Sequence, residues 1–469
     1  MQSRIIDHIL FFGDSMLDRN TFAKRKFMHG IIPNSIIVDF SKSPHGRFTN
    51  GYNWVDFTCA YLVNEFQTKH LEERLHLSAT DLADNIEDND PKVEPEVQAE
   101  KTLEEDTKVD EEGERFARTF CEGGLTSHNY SHEWILNLKC MGARKFVSNL
   151  DEKRGLLFES DKKLAISKDE KSKTIVIECS GGNDLLTVNP NPTNEIADIA
   201  IAARIENVKK LYEAGYRNFV LGNLANLALT PRLQNMTKQD RDIAKKVSKH
   251  FNQKLIDECK KLKNECPDLS IHIFDTYSTL DNIYKNPGKF GFDEDKKNLQ
   301  YTKSADFNLA DGVSTAPGYM FWDDIHPTAN LHARLGEIFS TFIKSIKEYK
   351  FQAPPKSDAT SPRFMVETFL KKYHEKLNSD KTSPWSAFGM WDTTKSKLSH
   401  DAIESEDDYP RILADILYHG INEGGDRTRQ ILLELEWIDS NNNINISNPA
   451  LYQAKQFYDN KSPKSPSVH

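Results

Sequence analysis

Two short segments, far apart in the chain, carry the residue types of nucleophilic acyl chemistry. Phe12-Gly13-Asp14-Ser15-Met16 places a serine at the end of an apolar run that starts at Ile5, and Asp323-Asp324-Ile325-His326-Pro327 places an acid three residues before a histidine. A serine hydroxyl becomes a nucleophile when a base takes its proton, a third group orients that base, and donors receive the oxyanion. His326 suits the base, with Asp323 on its other ring nitrogen to fix the tautomer and stabilise the imidazolium; Asp324 is the neighbouring alternative. Taken alone, Gly-Asp-Ser is an ordinary turn and Asp-x-x-His a surface loop or metal-ligand pair. Taken together, each segment supplies what the other lacks.

Oxyanion donors come from two further places. Thr174 to Cys179 is a β-branched run that stops at Ser180-Gly181-Gly182-Asn183-Asp184. It reads as a central strand ending in a functional loop, where glycines let the backbone approach a substrate and the Asn183 amide can donate to an oxyanion. Phe120-Cys121-Glu122-Gly123-Gly124-Leu125-Thr126 offers the backbone N–H of Gly124, or of Gly123. Ser15 adds its own N–H.

These residues need a rigid frame, and the hydrophobic pattern describes one. Strands are expected to begin near residues 6, 36, 174, 218 and 270. Helical periodicity runs over Glu195 to Ala214, Lys238 to Asn264 and Thr328 to Tyr349. Alternating strands and helices imply a parallel sheet covered on both faces, with the reactive residues at the carboxyl ends of its strands.

In this arrangement the chain resembles the GDSL or SGNH-type lipases and esterases. The first block of that family is similar to Phe12 to Asp18, its glycine block to Phe120 to Thr126, its Gly-x-Asn-Asp block to Gly181, Asn183 and Asp184, and its Asp-x-x-His-Pro block to Asp323, His326 and Pro327. Gly46-Arg47-Phe48-Thr49-Asn50-Gly51, with Trp54, resembles the bacterial phospholipase, lysophospholipase and glycerophospholipid:cholesterol acyltransferase branch. The resemblance covers roughly residues 1 to 350. It implies a three-layer α/β/α flavodoxin-like fold, Ser15 as nucleophile, His326 as base, Asp323 as orienting acid, and an oxyanion hole of Ser15, Gly124 and Asn183. The chain departs from the pattern at Arg19-Asn20-Thr21, at Met16, and at Glu122 and Leu125 beside the glycines.

Composition bounds the rest. A chain of 469 residues with 38% hydrophobic content exceeds one compact domain, and a net charge of -10 leaves no basic footprint for nucleic acid. Six cysteines at 59, 121, 140, 179, 259 and 266 include no Cys-x-x-Cys pair, so they read as small reduced hydrophobes; no metal and no cofactor is expected. No apolar stretch approaches the ~20 residues of a membrane span. The N-terminal apolar run is already the first strand, so no removable signal peptide is expected. Localisation is then the bacterial cytoplasm, or a host cell after injection by a secretion system.

The expected organisation is a hydrolase domain over 1–350, a linker over 351–362, a small helical domain over 363–459 and a disordered tail over 460–469. Within the first domain, residues 80–115 form an acidic insertion that cannot bury enough apolar surface to fold alone. Helices are expected over Phe364 to Leu377, Tyr409 to His419 and Asp426 to Trp437. The Gly424-Gly425 segment is similar to a module of injected bacterial effectors, against a generic packing domain whose partner is unknown. The expected function is a serine ester hydrolase on a lipid or other acyl ester: phospholipase A or lysophospholipase first, acyltransfer second, with transient membrane-surface contact. The alternatives are a carbohydrate O-acetylesterase or a non-catalytic binding protein.

Overall fold

The computed structural model describes residues 3–25, 41–43, 46–62, 108–111, 114–133, 135–164, 166–189, 191–309, 315–355, 361–380, 408–423 and 426–461. They divide into two compact units, Met1–Leu156 with Lys173–Pro354, and Leu157–Ser172 with Pro355–His469. Residues 157–172, which lie in the 1–350 region, thus group with the C-terminal helices.

The first unit is built on a six-stranded sheet. In chain order its strands are β2 (His8–Gly13), β3 (Lys108–Glu111), β4 (Glu114–Cys121), β5 (Thr174–Cys179), β6 (Asn218–Gly222) and β7 (Ser270–Phe274). Across the sheet the order is β3-β4-β2-β5-β6-β7, with every pair parallel except the edge pair β3/β4. The central strands β2 and β6 are buried along their whole length, as parallel strands covered on both faces must be.

Three expectations change. The apolar run from Ile5 is two strands: β1 (Arg4–Ile6) pairs with β8 (Tyr349–Phe351) in a separate parallel pair, and Asp7 intervenes before β2. The strand beside β2 is β4, whose Glu-Arg-Phe-Ala-Arg-Thr sequence does not alternate cleanly; the strand expected near residue 36 lies outside the described residues. The end of the acidic insertion is folded, since β3 lies within 80–115. An edge strand takes its hydrogen bonds from its neighbour and needs no core of its own, and its Lys-Val-Asp-Glu sequence suits an edge.

The helices Asn194–Glu213 and Lys238–Glu265 fall where periodicity puts them; the second opens with a capping box between Thr237 and Asp240. The helix after the histidine loop, Ala329–Ser345, stops short of Tyr349 because the chain turns to form β8. Under the sheet, Phe339 packs edge to face on both Trp54 and Phe274, which stack on each other. Arg204, on the Asn194–Glu213 helix, pairs with Glu178 of β5 at 2.7 Å, both side chains almost fully buried, and donates to the carbonyls of Glu178 and Gly222. That guanidinium clamps the carboxyl ends of β5 and β6 together.

In the second unit, helices Pro362–Asp380 and Tyr409–Asn422 span the expected segments, Asp426–Glu434 stops three residues short of the expected Trp437, and Pro449–Lys461 adds a fourth. Asn448 caps it, and the helix reaches into the expected tail. The core includes Phe369, Leu413, Leu417, Leu432, Trp437 and Leu451. Cys59, Cys121, Cys140 and Cys259 are buried thiols. Among the described residues no helix is long and apolar enough to cross a membrane.

Glu178→Ala leaves the Arg204 guanidinium buried without its carboxylate and is expected to cost roughly 3–5 kcal/mol, read from urea unfolding midpoints. A loss below about 1 kcal/mol would show that the pair does not hold β5 in place.

Candidate active site

The register of the sheet sets the site. Gly13 at the end of β2 lies opposite both Cys121 of β4 and Cys179 of β5. The loops Asp14-Ser15, Glu122-Gly123-Gly124 and Ser180 to Asn183 therefore leave the sheet at one level. The chain runs from β2 to β4 on one side and then to β5 on the other, so this is a topological switch point, where open α/β sheets bind ligands. A Cβ at Gly13 would stand 2.9 Å from the Cys179 carbonyl oxygen, so only glycine lets the three strands end together.

Ser15 sits in a tight turn in which Leu17 N–H donates to the Asp14 carbonyl and Met16 N–H to the Asp14 carboxylate. Its hydroxyl oxygen lies 2.7 Å from Nε2 of His326, and Nδ1 of His326 lies 2.6 Å from Oδ2 of Asp323. The other carboxylate oxygen of Asp323 accepts the N–H groups of Ile325 and His326 at 2.8 and 2.7 Å. An ionised Asp323 fixes the proton on Nδ1 and leaves the Nε2 lone pair for the serine O–H. Between the two acids the geometry decides: Asp324 is engaged by Arg232 in a two-point ion pair at 2.8 and 3.1 Å.

The electrostatics follow from burial and three carboxylates. Burial opposes protonation of His326, but the Asp323 charge and hydrogen bond, with Asp14 and Asp324 nearby, outweigh it and hold the imidazole above its ordinary pKa of 6.5. Burial likewise works to raise Asp323, yet His326 and the two backbone N–H groups keep it below the usual carboxylate range. Asp14 has less compensation; burial pushes it up to about 6. His332, on the following helix, is driven by burial down to about 3, so it stays neutral where His326 titrates.

The expected oxyanion donors line the same cavity as Ser15 and His326. Asn183 donates to the Leu125 carbonyl at 3.1 Å while its side-chain oxygen accepts from Thr187 at 2.6 Å. Those contacts orient the amide and leave its second N–H for a ligand. Gly123 N–H is already bound to Asp18 at 2.7 Å, so Gly124 is the glycine of the pair with an N–H to offer. Its φ of +79° is backbone that an L side chain resists.

The supporting residues are those the sequence reading missed. Asp18 is buried and accepts from Thr21, Phe22 and Gly123, tying the loop after Ser15 to the glycine loop; burial pushes it up to about 6. Glu122, in that glycine loop, is buried between Lys153 and Arg25. Thr49 donates to the Pro327 carbonyl and Asn50 accepts from Ala329 N–H, which explains in physical terms what the 46–51 block does: it holds the far side of the histidine loop. Phe48 lays its ring 5.0 Å from the His326 ring. Arg232 staples Asp324 twice, through its guanidinium and through its backbone N–H to the Asp324 carbonyl.

The cavity in front of Ser15 measures about 540 Å³ and is lined mainly by apolar side chains, among them Phe22, Trp54, Phe146, Leu224, Phe274 and Leu335. Among the described residues no cluster of three or more His, Cys, Asp or Glu is placed to hold a metal ion.

The family model for GDSL-like lipases and acylhydrolases matches residues 9–339. The chain belongs to that family. Its three-layer α/β/α SGNH-type fold, with helical C-terminal part, follows from that membership and the sheet described above. Among curated relatives, a GDSL esterase/lipase of Arabidopsis thaliana is 27% identical over 29% of this chain and 41% of its own. Another from that plant is 27% identical over 33% and 44%. The secreted effector protein SseJ of Salmonella typhimurium is 23% identical over 72% of this chain and 64% of its own. The chain thus spans less than two thirds of the length of each.

The ring protons of His326, followed by NMR against pH, are expected to titrate with a midpoint above about 6.5, and Asp323→Asn to lower that midpoint. A midpoint that Asp323→Asn leaves unmoved would break the coupling drawn here.

Proposed function

We propose that the protein is a serine ester hydrolase that works by acyl transfer, with Ser15 as nucleophile, His326 as general base and Asp323 as the acid that orients it. The observation that carries this reading is the hydrogen-bonded series Ser15–His326–Asp323 on the wall of an apolar cavity. His326 takes the Ser15 proton as the hydroxyl attacks the carbonyl carbon, and the oxyanion is received by the N–H groups of Ser15 and Gly124 and by the Asn183 amide. The imidazolium then protonates the leaving alcohol. Water, or another alcohol, takes the acyl group from Ser15 by the same steps in reverse.

The apolar lining supports a lipid ester over an acetylated sugar, since a sugar offers hydroxyls that such walls leave without partners. Within lipid esters we place phospholipase A or lysophospholipase activity first and acyltransfer second. Similarity to a protein named a secreted effector supports a bacterial effector delivered into a host cell. The intact set of Ser15, Asn183, Asp323 and His326 speaks against a purely binding role.

Ser15→Ala is expected to abolish turnover of short p-nitrophenyl esters and of lysophospholipid, and Asn183→Ala to lower kcat by roughly 100- to 1000-fold with little change in KM. Turnover by Ser15→Ala at the wild-type rate would sink the assignment, and a preference for acetylated sugars over long-chain lysophospholipid would replace the substrate class.

The base must be neutral to act, so a raised His326 pKa means that activity falls as pH drops. On a kcat/KM profile the acid limb is expected to have its midpoint above about 6.5, and Asp14→Asn, which removes a negative charge near the imidazole, to move that limb to lower pH. A shift in the opposite direction would contradict the assignment of His326 as base.

A further inference from the structure

The segment that opens the Leu138–Phe146 helix is apolar and turned to solvent. Asn137 caps the helix by accepting from the N–H groups of Lys139 and Cys140. A cap of this kind commonly closes with a hydrophobic staple between the residue before it and the fourth residue of the helix, here Leu136 and Met141. Leu136 instead is 82% exposed, and Leu138, the first helical residue, 76%. No other large hydrophobic among the described residues is as exposed as these two. Neighbouring exposed leucines of this kind mark a surface that meets something apolar.

Two observations say what that is. The same helix lines the cavity of Ser15 through Lys139, Ala143 and Phe146, so Leu138 is next in the chain to a residue of the cavity wall. The patch is also basic in a chain of net charge -10: Lys139 and Lys145 are exposed, the helix carries no acidic residue, and Glu133 before it is paired with His128 and Arg144. Exposed leucines beside lysines, next to an apolar cavity, match the boundary of an anionic bilayer. A second copy of the chain would bring like charges to the same face.

We propose that Leu136 and Leu138, with Lys139 and Lys145, form the surface by which the protein docks on an anionic lipid membrane. Docking there would let an acyl chain pass from the bilayer into the cavity without crossing water. The proposal rests on the reading of that cavity as an acyl-chain site.

The test is flotation of the full chain with phosphatidylcholine vesicles, with and without phosphatidylglycerol, in a Ser15→Ala background so that lipid is not consumed. The protein is expected to float with the anionic vesicles. Leu136→Ser with Leu138→Ser should weaken binding at least about tenfold, and Lys145→Glu about fivefold. In the Ser15 background the double variant should keep wild-type turnover of a soluble short-chain ester, which shows that it is folded. Absence of flotation, or equal flotation of the double variant, overturns the proposal. So does a dimer in sedimentation that the double variant abolishes, since the patch is then a self-interface. Binding without turnover of any ester would overturn the proposed hydrolase function and leave the docking surface standing. Turnover without binding would do the reverse.

Discussion

Everything at this site depends on where β2 ends. Because Gly13 stands opposite Cys121 and Cys179 in one register, three loops leave the sheet side by side, and each contributes one kind of group. The first supplies a hydroxyl, the second a backbone N–H, the third an amide. A slip of one residue in either pairing would turn every side chain of a strand to the opposite face and separate the loops. The Arg204–Glu178 pair and its bonds to two strand carbonyls therefore matter beyond stability, since they fix the level at which β5 and β6 stop.

The histidine comes from outside this frame and has to be brought to it. Its loop is held at Pro327 and Ala329 by Thr49 and Asn50, and at Asp324 by Arg232, so both flanks are tied to other parts of the unit. Asp323 spends one oxygen on backbone N–H groups of its own turn and the other on the imidazole. The carboxylate cannot swing away from the ring without breaking the turn that carries it. Asp18 does a similar job for the glycine loop, with three backbone donors on one buried carboxylate.

Much of this was legible in the sequence, and what was not has identifiable causes. Ser15, His326 and Asn183 announce themselves because glycines and apolar runs surround them. Spacing and the family resemblance put Asp323 ahead of Asp324; what the sequence does not show is that Arg232, some ninety positions away in the chain, occupies Asp324. The resemblance likewise prefers Gly124 to Gly123, and the sequence does not show the partner that engages Gly123, which is Asp18. β4 escaped because a strand covered on both faces need not alternate, and its arginines imitate a surface segment; Arg118 is in fact buried and bonded to Tyr216. β3 escaped because an edge strand is specified by its neighbour more than by its own composition.

Of the three carboxylates near His326, Asp323 and Asp14 differ in what they do for it. Asp323 is hydrogen-bonded to the ring and stays ionised across the neutral range. Asp14, which lines the cavity without touching the imidazole, is held near pH 6 by burial. Protonation of His326 favours ionisation of Asp14, and the reverse. In the proposed attack by Ser15, the proton passed to the imidazole would find a second negative charge already nearby, inside a cavity whose apolar walls screen it weakly. The aspartate of the Gly-Asp-Ser turn thus combines two tasks: one oxygen shapes the serine turn through Met16, and its charge favours the protonated form of His326 on which the proposed mechanism relies.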